Sequence, residues 1–148
     1  MEEKKTIQQI EEEIVDEFSF LESWDEKYEY IIDLGKRLPE LDDKYKVEEN
    51  TVKGCQSTVW LVASFENGLI HFKADSNTVI TKGLISMLVR VLSGHTPDEI
   101  LDAKLEFIHK IGMTTHLAQT RANGLLAMVK KMKTYATGYK AIQKIVSK

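Results

Sequence analysis

Asn67-Gly68, standing between two runs of alternating apolar residues, is the feature that most restricts how this chain can fold. Both positions tolerate the positive φ of a tight two-residue turn, so the pair is a strong signal for a β-hairpin. Thr58 to Glu66 alternates ahead of it, with Val59, Leu61, Ala63 and Phe65 on one side and Trp60, Val62 and Ser64 on the other. Leu69 to Ala74 is the predicted return strand, and Thr51 to Lys53 a short third one.

Helical periodicity surrounds this hairpin. Ile7, Ile10, Ile14 and Phe18 predict an amphipathic helix over residues 5–19. Ser23-Trp24-Asp25-Glu26 has the form of a capping box, with the serine hydroxyl taking an early amide and Glu26 reaching back. It opens a second helix with Tyr28, Ile31, Ile32 and Gly35 inward, closing before Pro39, which biases Leu38 out of helical geometry. Residues 40–50 are charged and aperiodic, and read as a loop covering the approach to Cys55. After the hairpin, Asp75-Ser76-Asn77 offers caps for a helix over residues 78–92. Its Val79, Ile80, Leu84, Ile85, Leu88, Val89 and Leu92 make it apolar nearly all round, and therefore central to the core. Thr96-Pro97-Asp98-Glu99 is a second capping box with proline at the first helical position, opening a short helix to Ala103. Beyond an irregular segment, Thr120 caps a long helix striped with Leu125, Met128, Met132 and Tyr135. Gly138 ends or bends it, and Tyr139, Ile142 and Val146 mark a last amphipathic piece. The order of helices, hairpin, helices predicts a single α+β domain over residues 1–148, in which helices cover one face of a small antiparallel sheet of about three strands.

Composition narrows the function classes. A chain of 148 residues buries a real core without staples. Its one cysteine excludes an internal disulfide framework, a multi-cysteine metal site and a two-thiol redox mechanism, and favours a reducing compartment. The N-terminal residues are polar, and the longest apolar run, Leu84 to Leu92, is interrupted by Arg90 and too short to span a bilayer. The expectation is a cytoplasmic protein with no membrane partner. Residues 1–50 carry 17 acidic and 7 basic groups, whereas residues 112–148 carry 7 basic groups and no acid. The acidic first fifty residues oppose the field that nucleic-acid binding needs. The basic tail interleaves its lysines with an apolar stripe, so it reads as a helix lying near the acidic N-terminal one and offset by it.

The residues around the sole thiol are Val52-Lys53-Gly54-Cys55-Gln56-Ser57-Thr58-Val59-Trp60. A lone cysteine is either inert packing or a nucleophile whose partners lie on other molecules. Gly54 removes the neighbouring side chain, so another sulfur can approach closely. Gln56, Ser57 and Thr58 can donate hydrogen bonds to a thiolate, and Lys53 adds positive potential that favours ionisation. His71, His95, His109 and His116 stand in no motif, so a hydrolytic Cys–His pair has no support, and no compact metal-ligand spacing is present.

These blocks resemble the SufE family, sulfur acceptors that work with a cysteine desulfurase in iron–sulfur cluster assembly. Trp24-Asp25-Glu26-Lys27-Tyr28 through Leu38-Pro39-Glu40-Leu41 resembles the family's N-terminal signature, and Val52 to Trp60 its active-site loop. Ala74-Asp75-Ser76-Asn77 with Lys82-Gly83-Leu84, and Thr115-His116-Leu117 through Arg121-Ala122-Asn123-Gly124-Leu125, resemble two later segments. The match spans residues 20–135, and the tail past 136 lies outside it. The resemblance implies a SufE/IscU-like fold, with Cys55 as persulfide acceptor, Lys53, Gly54, Gln56 and Ser57 as its supporting loop, and Asp75 and Arg121 near that loop. It implies a SufS-like desulfurase as donor, carrying pyridoxal phosphate, while this chain binds no cofactor. The receiver would be a SufBCD-like scaffold. A CsdE-like acceptor serving another desulfurase, and a non-catalytic interaction module with an inert cysteine, are the alternatives.

Overall fold

A computed structural model describes residues 4–55, 57–117 and 119–146, without the side chains of Thr114, His116, Gln119 and Thr120. Helix α1 (Ile7–Ser19) starts at a complete capping box between Thr6 and Gln9 and buries Ile7, Ile14 and Phe18. Helix α2 (Trp24–Lys36) starts at Ser23, whose hydroxyl accepts from the Glu26 amide at 3.2 Å. The Glu26 carboxylate turns instead to the Glu22 amide at 2.8 Å, so this box closes one residue early.

Strands β1 (Val59–Glu66) and β2 (Leu69–Ser76) pair antiparallel, from Val59 opposite Ser76 to Glu66 opposite Leu69. Asn67 and Gly68 make the turn with φ of 54° and 79°. The expected third strand is reduced to one bridge, Thr51 with Trp60. Strand β2 runs on through Asp75 and Ser76, which the sequence reading assigned to helix caps. Both residues are used to close the sheet's end. The Ser76 hydroxyl donates to the Thr58 carbonyl at 2.8 Å, and the Asn77 side chain accepts from the Thr58 amide at 3.2 Å.

Helix α3 (Val79–Leu92) therefore has Thr78 as its N-cap. It buries Leu84, Ile85, Met87, Leu88, Val91 and Leu92, but Val79, expected inside, is 59% exposed. Helices α2 and α3 cross almost backbone to backbone. A Cβ on Gly83 would lie 2.0 Å from the Ile31 carbonyl oxygen, so only glycine fits there.

Helix α4 (Pro97–Asp102) has the predicted capping box, Thr96 with Glu99. The segment read as irregular contains two short turns, α5 (Phe107–Lys110) and α6 (Met113–His116), each too brief for periodicity to register. Helix α7 (Gln119–Val146) is continuous through Gly138, which does not end it. Leu125, Met128, Met132 and Ala136 are buried, while Ile142, Ile145 and Val146 stand in solvent. Tyr139 fixes this helix to the sheet, stacking on Phe65 with centroids 5.0 Å apart and donating to the Ala63 carbonyl.

Charge is offset locally. Arg90 of α3 grips Glu17 of α1 through two bonds of 3.0 and 2.6 Å. On α7, Lys140 pairs with Asp98 at 2.6 Å, and Lys133 donates to the Ala103 carbonyl just past α4 at 2.6 Å. Among the described ion pairs, offset runs from α1 to α3 and from α7 to α4, not between the first and last helices as expected. No described helix is long and apolar enough to cross a membrane.

Candidate functional site

Cys55 lies in the loop between the Thr51 bridge and β1, directly after Gly54, whose φ of 93° an L side chain rarely adopts. This turn lays the loop against α7. The Cys55 thiol donates to the Gly124 carbonyl at 3.5 Å, a long contact for a weak donor. A Cβ on Gly124 would stand 3.6 Å from Sγ, and one on Gly54 would stand 3.2 Å from the Ala127 Cβ. Small residues one turn apart on α7 thus let the loop backbone come close.

The sulfur is half-buried, and burial pushes its thiol above the usual range. Lys53 does not serve it. That side chain is exposed and ion-paired with Glu48, contrary to the expectation that it favours ionisation of Cys55. Gln56 lies outside the described residues. Ser57 does approach the site, but through partners the sequence reading did not name. Its hydroxyl accepts from Thr78 at 3.1 Å and from Thr81 at 3.4 Å, and Thr78 also lies 2.7 Å from the Thr81 hydroxyl. Thr78 occupies the N-cap of α3, yet its hydroxyl makes no capping bond. The local signal was available: two threonines three apart at a helix start share one face. What joins them to Ser57 is tertiary.

Cys55, Ser57, Thr81 and Arg121 all line one cavity of about 270 Å³ between the loop, α3 and α7. Its apolar wall is made by Val59, Leu84, Ile85, Leu88, Leu125 and Met128. Arg121, in the first turn of α7, is exposed and stands at the solvent side of this lining. A larger hollow of about 550 Å³ between α1, α4 and α5 has mostly acidic walls, including Glu11, Asp16 and Asp102, and no cysteine or histidine among its described lining residues.

Asp75 does not line the cysteine cavity. It is buried at the end of β2, where its carboxylate accepts from the Ser76 amide at 2.8 Å and the Leu41 amide at 3.4 Å. Lys46 and Lys82 stand 3.5 and 3.4 Å away. Burial alone would raise this carboxyl, but the two amides and Lys82 outweigh it and hold Asp75 below the ordinary carboxylate range. The cluster also corrects the reading of residues 40–50 as a cover for Cys55. Leu41 and Lys46 are tied to Asp75, and the Lys46 ammonium sits 5.6 Å from the Trp60 ring centroid. Trp60 faces away from Val59, so this segment covers the sheet face opposite the cavity. His71, His95 and His109 do not line the cavity, and the side chain of His116 lies outside the described residues. Nothing described supplies Cys55 with an imidazole base.

A family model described as SufE, the Fe-S metabolism associated domain, matches residues 12–136. An uncharacterised SufE-like protein of Rhizobium meliloti (strain 1021) is 40% identical over 133 residues, covering 86% of this chain and 94% of that protein. Another from Rhizobium etli is 41% identical over 131 residues, covering 84% and 88%. The solution structure of a hypothetical protein from Thermus thermophilus superposes with a TM-score of 0.71 at 17% identity, over 87% of this chain and 94% of that one. At that identity the likeness establishes a shared fold.

Proposed function

The chain belongs to the SufE family of Fe–S metabolism associated domains, and from that premise we propose that it is a sulfur acceptor whose acceptor atom is Sγ of Cys55. The donor is the persulfide of a SufS-like cysteine desulfurase, and the receiver a SufBCD-like iron–sulfur scaffold in the cytoplasm. The pyridoxal phosphate that frees sulfur from cysteine belongs to the donor. This chain's part is thiol–persulfide exchange. Cys55 gives up its proton, the thiolate attacks the donor's terminal sulfur, the donor's S–S bond breaks, and the donor cysteine leaves as a thiolate.

The observation that carries this reading is the position of the chain's sole thiol, half-buried beside an apolar cavity and tied to α7 by one weak bond. Burial that raises the thiol keeps it protonated at neutral pH and slow towards stray electrophiles. Reaction then requires the loop to leave α7, so access, not standing reactivity, selects the donor. A single cysteine suits a carrier, because a second thiol within reach would attack the persulfide and discharge it as sulfide.

The test is Cys55→Ser, which keeps the fold while removing the acceptor. The variant is expected to melt like wild type and to give no stimulation of a SufS-like desulfurase. Retained stimulation refutes the mechanism.

A further inference from the structure

The unloaded thiol and a loaded persulfide make opposite demands on this site. In the structure Sγ–H points to an acceptor, the Gly124 carbonyl. Loading forms a bond from Sγ to the incoming sulfur, breaks the donor's S–S bond and sends the former Sγ proton to solvent. Sγ then has no hydrogen for Gly124, and the terminal sulfur carries the negative charge when ionised. A buried anion needs hydrogen-bond donors, and a carbonyl supplies none.

The cavity that Cys55 lines has few donors to offer. Among the described residues its polar side chains besides the thiol are Ser57, Thr81 and Arg121, and Arg121 is exposed. Arg121 is also the one charged group among the described lining residues. The nearby lysines are committed elsewhere, Lys53 to Glu48 and Lys82 to Asp75. Ser57, by contrast, is held by its neighbours with its own hydroxyl left to donate. Ser57 accepts from Thr78 and Thr81, and among the described residues its own hydrogen has no acceptor. Thr78 forgoes the N-cap bond its position invites while it holds this arrangement.

Building on the acceptor reading, we propose that Ser57 is the sulfur-binding residue of the loaded state, donating to the persulfide's terminal sulfur inside the cavity, with Thr81 and Thr78 as its positioning residues. Gly124 holds the empty thiol, the Ser57 hydroxyl holds the charged sulfur, and loading moves Cys55 from one to the other.

The test uses the full chain loaded chemically with sodium polysulfide, as wild type, Thr81→Val, Thr81→Ser and Thr78→Val, with folding checked by circular dichroism. Two quantities are read in each: the pH profile of alkylation, before and after loading, and the rate at which added thiol strips the sulfur. The unloaded profile is expected to be the same in all four. After loading, Thr81→Val is expected to raise the midpoint by about one pH unit and to speed stripping on the order of tenfold, because Ser57 without its Thr81 partner no longer holds its one hydrogen bond to the charged sulfur. Thr78→Val moves in the same direction, and Thr81→Ser, which keeps the hydroxyl, behaves as wild type. The assignment is overturned if the valine variants match wild type after loading, if Thr81→Ser fails as Thr81→Val does, or if the unloaded profiles shift equally. Because polysulfide does the loading, the two proposals fail separately. A wild type that the desulfurase cannot load, but whose polysulfide-made persulfide depends on Thr81, sinks the acceptor reading and leaves the hydroxyl assignment standing.

Discussion

Gly83→Ala adds one methyl group where α2 and α3 touch, and the geometry sets its cost. The new Cβ would sit 2.0 Å from the Ile31 carbonyl oxygen, 2.5 Å from its Cγ2 and 2.7 Å from its carbonyl carbon, whereas ordinary contact begins near 3.4 Å. The nearest atom is backbone and cannot rotate away, so the two helices must part by about 1 Å or more at their crossing. Overpacking a core costs about 1–3 kcal/mol, and a backbone collision lies at the top of that range. For a chain of this length each kcal/mol moves the melting temperature by about 2–4 °C, so a fall of roughly 6–12 °C is expected. The site suffers too, because α3 carries Thr81, Leu84, Ile85 and Leu88 into the cavity beside Cys55. Gly138→Ala is the matched control. Nothing lies within 4 Å of a Cβ there, and the position is inside a continuous helix. Alanine should stabilise by about 0.5–1 kcal/mol and raise the melting temperature by a few degrees. Thermal unfolding followed by circular dichroism reads both. A Gly83→Ala protein that melts within a degree of wild type would mean that the helices do not meet as described.

Alkylation of folded Cys55 should still be accelerating at pH 9, and Lys53→Gln should leave the curve where it is, since Lys53 is paired with Glu48; a clear shift in that variant would restore Lys53 to the site. The Glu17 carboxyl is held below its ordinary range, first by the Arg90 guanidinium that hydrogen-bonds it. A lowered folded pKa gives stability that is present above the unfolded value of about 4.3 and lost as pH falls through the folded one. Glu17→Gln should therefore melt below wild type at pH 7 and converge with it in acid, and a gap that persists at the lowest pH assigns the loss to packing instead.

Those parts of the fold that rest on local chemistry were legible in the sequence. Asn67-Gly68 dictates its turn because both residues take positive φ, and Thr96 with Glu99 closes its cap within one helical turn. Errors fell where tertiary partners compete for the same groups. Asp75, Ser76 and Asn77 have the chemistry of caps, but Lys46, Lys82, Leu41 and Thr58 claim them for the end of the sheet. Gly138 reads as a breaker only if nothing else holds the helix, and Tyr139 anchors it to the sheet. For the site, Cys55 and the glycine before it were visible as a motif. The Gly124 carbonyl, the Ala127 contact and the link from Ser57 to Thr78 and Thr81 were not, because they come from helices remote in sequence that meet the loop only in the folded chain.

The central claim is that Cys55 receives sulfur from another protein's persulfide. Mass spectrometry of the intact chain after incubation with a SufS-like desulfurase, cysteine and pyridoxal phosphate tests it directly. The account predicts the mass of one added sulfur atom, mapped to Cys55, removed by a reducing thiol and missing from Cys55→Ser. An unmodified chain under conditions where the desulfurase turns over, or an adduct that survives in Cys55→Ser, contradicts it.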